Sequence, residues 1–292
     1  MHTYNNLPIE RILQPIDFYI KNSSLYKDEF YESMRNKILN SFNELKFDES
    51  LHKYTLNNRE LIAVSNICHL FEEKQDFFQI AKKYAEKRGL GDGVEVKRQW
   101  DLKALKANIS GKFNHAYGEA FLKMLLGNKD FISDDIKQFI IDGYLCPVTP
   151  KQEAILKYFY DVLNEGEVPL LAEVKMYHKM YMYSGTFDSL HYQTESENLV
   201  IRDYKTNEEL QKAYQKPLFP PFEDFNNENL SFYTIQASLY QLCLESIGFK
   251  IKKREIVWLK DDATYELIPL KDVTDRLIKV LPKLLGCNYY MN

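Results

Sequence analysis

Ser184-Gly185-Thr186-Phe187-Asp188, followed by Val200-Ile201-Arg202-Asp203-Tyr204-Lys205-Thr206, is the stretch whose reading decides the fold. Apolar and polar residues alternate toward its end, so Leu199, Ile201, Asp203 and Lys205 share one face of a predicted strand. Residues 193–198 are polar and supply turn chemistry, which predicts a β-hairpin. Antiparallel pairing across that turn brings Asp188 beside Asp203. Two carboxylates at one point repel unless a cation neutralises them or one takes up a proton. Oxygen ligands of this kind suit Mg²⁺ or Mn²⁺. A lysine beside such an ion, here Lys205, can hold a water or help deprotonate it. That is the equipment for hydrolysing a phosphodiester.

Working outward, three further features join the pattern. His115 and Glu119 stand four apart on a predicted helix and so share a face. Glu173 lies in the strand-like run 170–175, before the hairpin. Gln236 and Tyr240 stand four apart on a later helix, away from the apolar stripe of Ile235, Leu239 and Leu242. Together, and in this order, these residues resemble the PD-(D/E)XK nuclease superfamily in its RecB-like exonuclease branch. The resemblance covers residues 111–240. Upstream, Phe47-Asp48-Glu49 with His52-x-Tyr54 and Val64-Ser65 looks like the opening segment of phage-type members.

The resemblance implies roles. Asp188 and Asp203 would bind the metal, with the backbone carbonyl of Tyr204 as another ligand. His115 would touch the metal or the scissile end beside it, and Glu119 and Glu173 are further candidates. Lys205 would be the catalytic lysine, as a base or by orienting water. Gln236 and Tyr240 would lie beside the site and hold DNA or the catalytic geometry. The reaction implied is attack by water with departure of the 3′ oxygen, at a DNA end, on a single strand by preference. Replication, recombination or repair is the setting, in a bacterial or phage-infected cytoplasm. A helicase, a recombinase or a single-strand-binding protein is a candidate partner. Some relatives hold an iron–sulfur cluster on one upstream and three closely spaced C-terminal cysteines. Cys68, Cys146, Cys243 and Cys287 lack that spacing, so no cluster is expected. The alternatives are a structure-selective endonuclease, an RNA nuclease, or a non-catalytic nucleic-acid-binding protein on the same fold.

Composition agrees with a globular chain. Of 292 residues, 45% are hydrophobic and 27% charged. No apolar run approaches the roughly 20 residues of a membrane helix, and no signal peptide is visible at the start. Scattered cysteines without a CxxC pair read as reduced thiols. A net charge of −4 disfavours a broad nucleic-acid-coating surface but not a narrow basic channel. Lys82-Lys83 with Lys87-Arg88, and the run from Lys250 to Arg254, read first as solvated faces. No GxxxxGK[ST] loop occurs, which excludes a helicase motor of that type within the chain.

The expected fold is α/β: a restriction-endonuclease-like mixed central sheet flanked by helices, with an N-terminal helical extension. One domain is expected over 1–292, with a helical and small-β segment at 1–110 and a nuclease core at 111–292. Helices are predicted at 9–44, from Asn66 with Ser65 as cap, and at 77–88, 102–108, 112–126, 133–141, 150–163, 231–246 and 271–285. Strands are predicted within 45–61 and at 170–177, 180–190, 199–205, 254–260 and 264–269. Gly185 reads as a close-packing position. Residues 216–230, rich in Pro, Phe and Asn, read as a long loop that either packs on the body or lies over substrate.

Overall fold

The structure, a computed structural model, describes residues 3–4, 7–8, 28–127, 132–141, 144–210 and 216–286. Its centre is an eight-stranded mixed sheet with helices packed against it. Leaving aside the shortest pieces, the elements in chain order are α1 (Glu29–Phe42), β1 (Lys46–Asp48), β2 (Lys53–Leu56), β3 (Arg59–Ala63), α2 (Val64–Cys68), α3 (Phe77–Arg88) and α4 (Val94–Leu125). Then follow α5 (Pro150–Asn164), β4 (Glu167–His178), β5 (Tyr183–Gln193), β6 (Asn198–Lys205), α6 (Asn229–Ser246), β7 (Ile251–Leu259), β8 (Tyr265–Pro269) and α7 (Thr274–Leu284). The sheet order is β8-β7-β6-β5-β3-β2-β1, with β4 also paired to β5. The predicted α/β architecture with a helix before the sheet is the one observed.

The predicted hairpin is β5–β6, antiparallel from Asn198↔Gln193 to Arg202↔Ser189. β6 then pairs in parallel with β7, which makes the sheet mixed. β4 covers one edge of β5 along nearly its whole length. The other edge of β5 changes partner. It pairs with β3 at Tyr183 and Ser184 and with β6 from Ser189 onward. Residues 185–188 fall between those two partners, and the sheet opens there. β1–β3 join the central sheet through this contact.

Thr149 caps α5 as its Thr-Pro-Lys-Gln start predicts. Its Oγ1 accepts from the Gln152 N–H at 3.2 Å, and Gln152 Oε1 accepts from the Val148 N–H at 2.8 Å. Other expectations are corrected. The two helices predicted at 102–108 and 112–126 are one, α4, 32 residues long. Gly111 is the only weak former between them, and one glycine costs about 1 kcal/mol, which packing of the second half offsets. α2 begins at Val64, so Ser65 lies inside it, and Ala63 at the cap position makes no side-chain bond. The helix predicted at 133–141 shrinks to Asp134–Lys137, because Ile140–Ile141 pairs instead with Tyr144–Leu145. The part of the 9–44 helix before residue 28, and Cys287, lie outside the described residues. Cys68, Cys146 and Cys243 are free thiols.

The loop at 216–230 packs inward in part, with Phe219 exposed and Asn227, Glu228 and Asn229 lining a cleft. Phe222 is fully buried, its ring 4.8 Å from that of Phe71, and Phe225 is buried beside it. These two aromatics therefore belong to the core and do not cover a substrate. Among the described residues, no helix is long and apolar enough to cross a membrane.

Candidate metal centre

Register builds the site. The pairs Ala172↔Ser189 and Val174↔Phe187 place Glu173 opposite Asp188. Arg202↔Ser189 is the last pair between β5 and β6, so the next position sets Asp203 opposite Asp188. Glu173, Asp188 and Asp203 thus form a row across β4, β5 and β6, where the edge of β5 is open. Glu173 has a left-handed φ of 49°, uncommon for a residue with a side chain. It follows a bulge between Pro169 and Leu171, a device that re-aims side chains.

α4 closes the row from above. Gly118 allows the approach: a Cβ there would stand 2.8 Å from the Tyr204 ring. One turn earlier, His115 Nδ1 lies 3.1 Å from Asp188 Oδ2, and the imidazole meets the Tyr204 ring edge-on with centroids 5.9 Å apart. Asn114 fixes this stretch of α4 by accepting from Thr149 Oγ1 at 2.8 Å, which ties it to the start of α5. His115, Glu173 and Asp188 offer ligand atoms that all lie within 4.8 Å of one another.

Asp203 stands outside that compact trio. It is buried and ion-paired with the Lys205 ammonium, while its Oδ2 makes no hydrogen bond of good geometry. Lys205 Nζ also lies 4.5 Å from the centre of the Tyr233 ring on α6. Tyr204 enters the site by its backbone, donating its N–H to Asp188 Oδ2 at 2.5 Å. Glu119 is held by Lys123 Nζ at 2.5 Å, next to the trio but not in it. Gln236 Nε2 donates to Tyr240 Oη at 2.7 Å. That pair sits behind the row. A Cβ at Gly185 would come within 2.7 Å of the Tyr240 ring, so Gly185 is the close-packing position expected.

The charges strain against one another. Burial raises the Glu173 pKa well above the carboxylate range, and the Asp188 and Glu119 charges add to it. Burial and Asp188 also raise Asp203, against the pull of Lys205. Burial works against charge on Asp188 too, but His115, Lys205 and the Tyr204 N–H outweigh it and leave its pKa lowered. Burial disfavours the charged forms of His115 and Lys205, yet the neighbouring aspartates raise both. A crowded carboxylate row of this kind calls for positive charge. The donor set, oxygen-rich with one imidazole, fits Mg²⁺ or Mn²⁺.

Glu173 and Asp188 of the row, with His115, Glu119 and Lys205, line a cleft of about 1250 Å³. Its lining includes His52 from the β1–β2 turn and Lys103, Lys106 and Lys112 from α4. Three participants were not singled out from sequence. Lys151 lines the cleft, donates to the Thr206 carbonyl at 2.9 Å and faces Asp261 at 3.1 Å. Its signal was available: a lysine in the first turn of α5 opposes the helix dipole. Tyr233, beneath Lys205, donates to Asn207 Oδ1 at 2.9 Å. Phe232 lines the cleft beside it. Neither aromatic differs in local sequence from its buried neighbours.

No family model matches the chain, and no curated protein matches it. Among solved structures, a protein from Eubacterium rectale described as a "Putative exonuclease" is similar at 17% identity, with a TM-score of 0.36. The match covers 62% of this chain and 64% of that one, so less than two thirds of the neighbour's length is spanned.

Proposed function

We propose that this protein is a divalent-metal-dependent nuclease that hydrolyses DNA from an end, with a single strand preferred. The observation that carries the reading is the row Glu173–Asp188–Asp203 across three strands, with His115 above it and Lys205 at its end. His115, Glu173 and Asp188 would hold Mg²⁺ or Mn²⁺, with Asp203 and the Tyr204 carbonyl as further ligands. The bound ion would polarise the scissile phosphate and acidify the attacking water. Lys205, paired with Asp203 and lying over Tyr233, would hold that water or a phosphate oxygen by hydrogen bonds. Tyr240, which accepts from Gln236, packs on β5 at Gly185, and the pair would thereby help hold the strand that bears Asp188. The resemblance noted above supports departure of the 3′ oxygen, leaving 5′-phosphate ends, and DNA maintenance as the setting.

The test uses purified protein on end-labelled single- and double-stranded DNA, with and without Mn²⁺, and with an RNA strand to separate the two nucleic acids. Asp188→Ala should abolish cleavage and weaken Mn²⁺ binding in calorimetry. Lys205→Ala should slow turnover by about a hundredfold or more while sparing Mn²⁺ binding. Wild-type rates in both variants would sink the assignment.

A further inference from the structure

α3 and the first half of α4 form an arm with its own small core. Ala81 and Ala85 of α3 pack on Val96 and Trp100 of α4, apart from the main hydrophobic cluster. Every residue from 101 to 110 is exposed, and this stretch meets the described body through Lys103, whose Nζ lies 2.8 Å from Glu208 Oε2. Charge segregates here. Residues 77–110 carry eight Lys or Arg against four Asp or Glu, in a chain whose net charge is −4. Lys82, Lys83, Lys87 and Lys106 have no carboxylate partner among the described residues. Apolar surface segregates as well. Of the 18 exposed large hydrophobic side chains among the described residues, nine lie on the arm, including Phe77, Phe78 and Tyr84.

We infer that this arm is a docking surface for the stretch of single-stranded DNA that lies beyond the scissile end. The inference rests on the proposed function and adds where the strand runs. Three observations select this occupant. The positive surplus complements phosphates and sits on one projection of an otherwise acidic protein. Aromatic rings interleave with the cations: Arg88 stacks 4.8 Å over Tyr84, whose ring meets Trp100 edge-on at 5.5 Å. Basic residues alternating with rings suit an unpaired strand, whose bases stack without regard to sequence. The arm is also continuous with the site, since its Lys103 and Lys106 line the cleft that holds Asp188 and Lys205. From Lys106 back to Val94, α4 extends roughly 18 Å away from the cleft, at about 1.5 Å per residue.

The experiment compares wild type with the quadruple variant Lys82→Ala, Lys83→Ala, Lys87→Ala, Arg88→Ala. Binding of a long single-stranded oligonucleotide is followed by fluorescence anisotropy across a salt series, without added metal. Hydrolysis of bis(p-nitrophenyl) phosphate with Mn²⁺ is followed in parallel, because that small diester cannot reach the arm. The expected result is an affinity loss of about tenfold or more at low salt, with the log–log salt slope shallower by about 0.7 for each phosphate contact removed. Hydrolysis of the small diester should not change. An unchanged affinity and slope would overturn the inference while leaving the nuclease reading intact. Arm-dependent binding without any cleavage by the wild type would do the reverse. Loss of small-diester hydrolysis in the variant would show that the arm shapes the catalytic centre and is no separate surface. If sedimentation shows a dimer that Leu102→Asp with Leu105→Asp dissolves, and DNA affinity is untouched, the occupant is a second copy and the inference falls.

Discussion

Two glycines set the dimensions of the site at the residue scale. Gly118 lets α4 approach Tyr204, and Gly185 lets the Tyr240 ring rest on β5. Gly185→Ala would put a methyl 2.7 Å from the Tyr240 ring and 3.0 Å from Val64 Cγ2, inside a packed core. Overpacking of this kind costs about 1–3 kcal/mol. Urea unfolding should report that loss, and the loss should shrink in a Tyr240→Leu background, since the two side chains contend for one space. Equal costs in both backgrounds would place the strain elsewhere. Gly185 was legible as a packing position because it interrupts a strand pattern. Asp188, Asp203 and Lys205 were legible for the same reason, as charges at the ends of apolar β-sequence. The left-handed backbone of Glu173 was not, because nothing in Ala172-Glu173-Val174 asks for it.

At the scale of the element, β6 separates two kinds of chemistry by alternation. Asp203 and Lys205 turn toward α6 and the site. Arg202 and Tyr204 turn toward α5, where Arg202 Nη1 donates to Tyr158 Oη at 3.3 Å. Arg202 is almost fully buried. It bridges Glu167 on β4, with Nη2 to Oε1 at 2.9 Å, and Glu255 on β7, with Nε to Oε2 at 2.9 Å. The guanidinium thus joins strands on both sides of the hairpin that bears the row. Burial alone would raise the Glu167 pKa, but contacts from His191 and Arg202 outweigh it and hold it well below the usual range. A carboxylate with a depressed folded pKa contributes stability above its unfolded pKa of about 4.3, and loses it as pH falls toward the folded value. Stability should therefore decline below about pH 5, and Glu167→Gln should flatten that decline. At neutral pH the same variant should cost about 3 kcal/mol, at the lower end for a broken buried pair because Glu255 still serves Arg202. Thermal melting from neutral to acid pH measures both effects. An unchanged acid limb would assign the decline to other groups.

The whole molecule arranges its walls around the row. α4, the start of α6 and the β1–β2 turn all contribute to the cleft, while Phe222 and Phe225 of the 216–230 loop are spent in the core. Under the proposed function, a cleft with lysines of α4 along its lining would admit a strand terminus more readily than the middle of a closed circle. Degradation of linear single-stranded DNA should therefore outpace that of covalently closed circles, and salt should weaken both because phosphates carry much of the affinity. Gel assays on matched linear and circular strands decide it. Equal rates would make the protein an endonuclease even with every ligand of the row correct.

Much of the row, the hairpin that carries it and the cap of α5 were readable from sequence, because each depends on residues close together in the chain. Alternation, turn chemistry and helix capping act over a few residues, and their physics is local. What only the tertiary structure decided depends on partners far apart. The length of α4 was set by packing of its second half, which overrides a weak residue at Gly111. Lys151 gained its place from Thr206, 55 residues away, and Arg202 from Glu167, 35 residues away. The separation of Asp203 from the trio of His115, Glu173 and Asp188 follows from the open edge of β5, where two strands approach from opposite ends and neither completes the pairing. No local pattern encodes such an opening, since it arises where three strands meet.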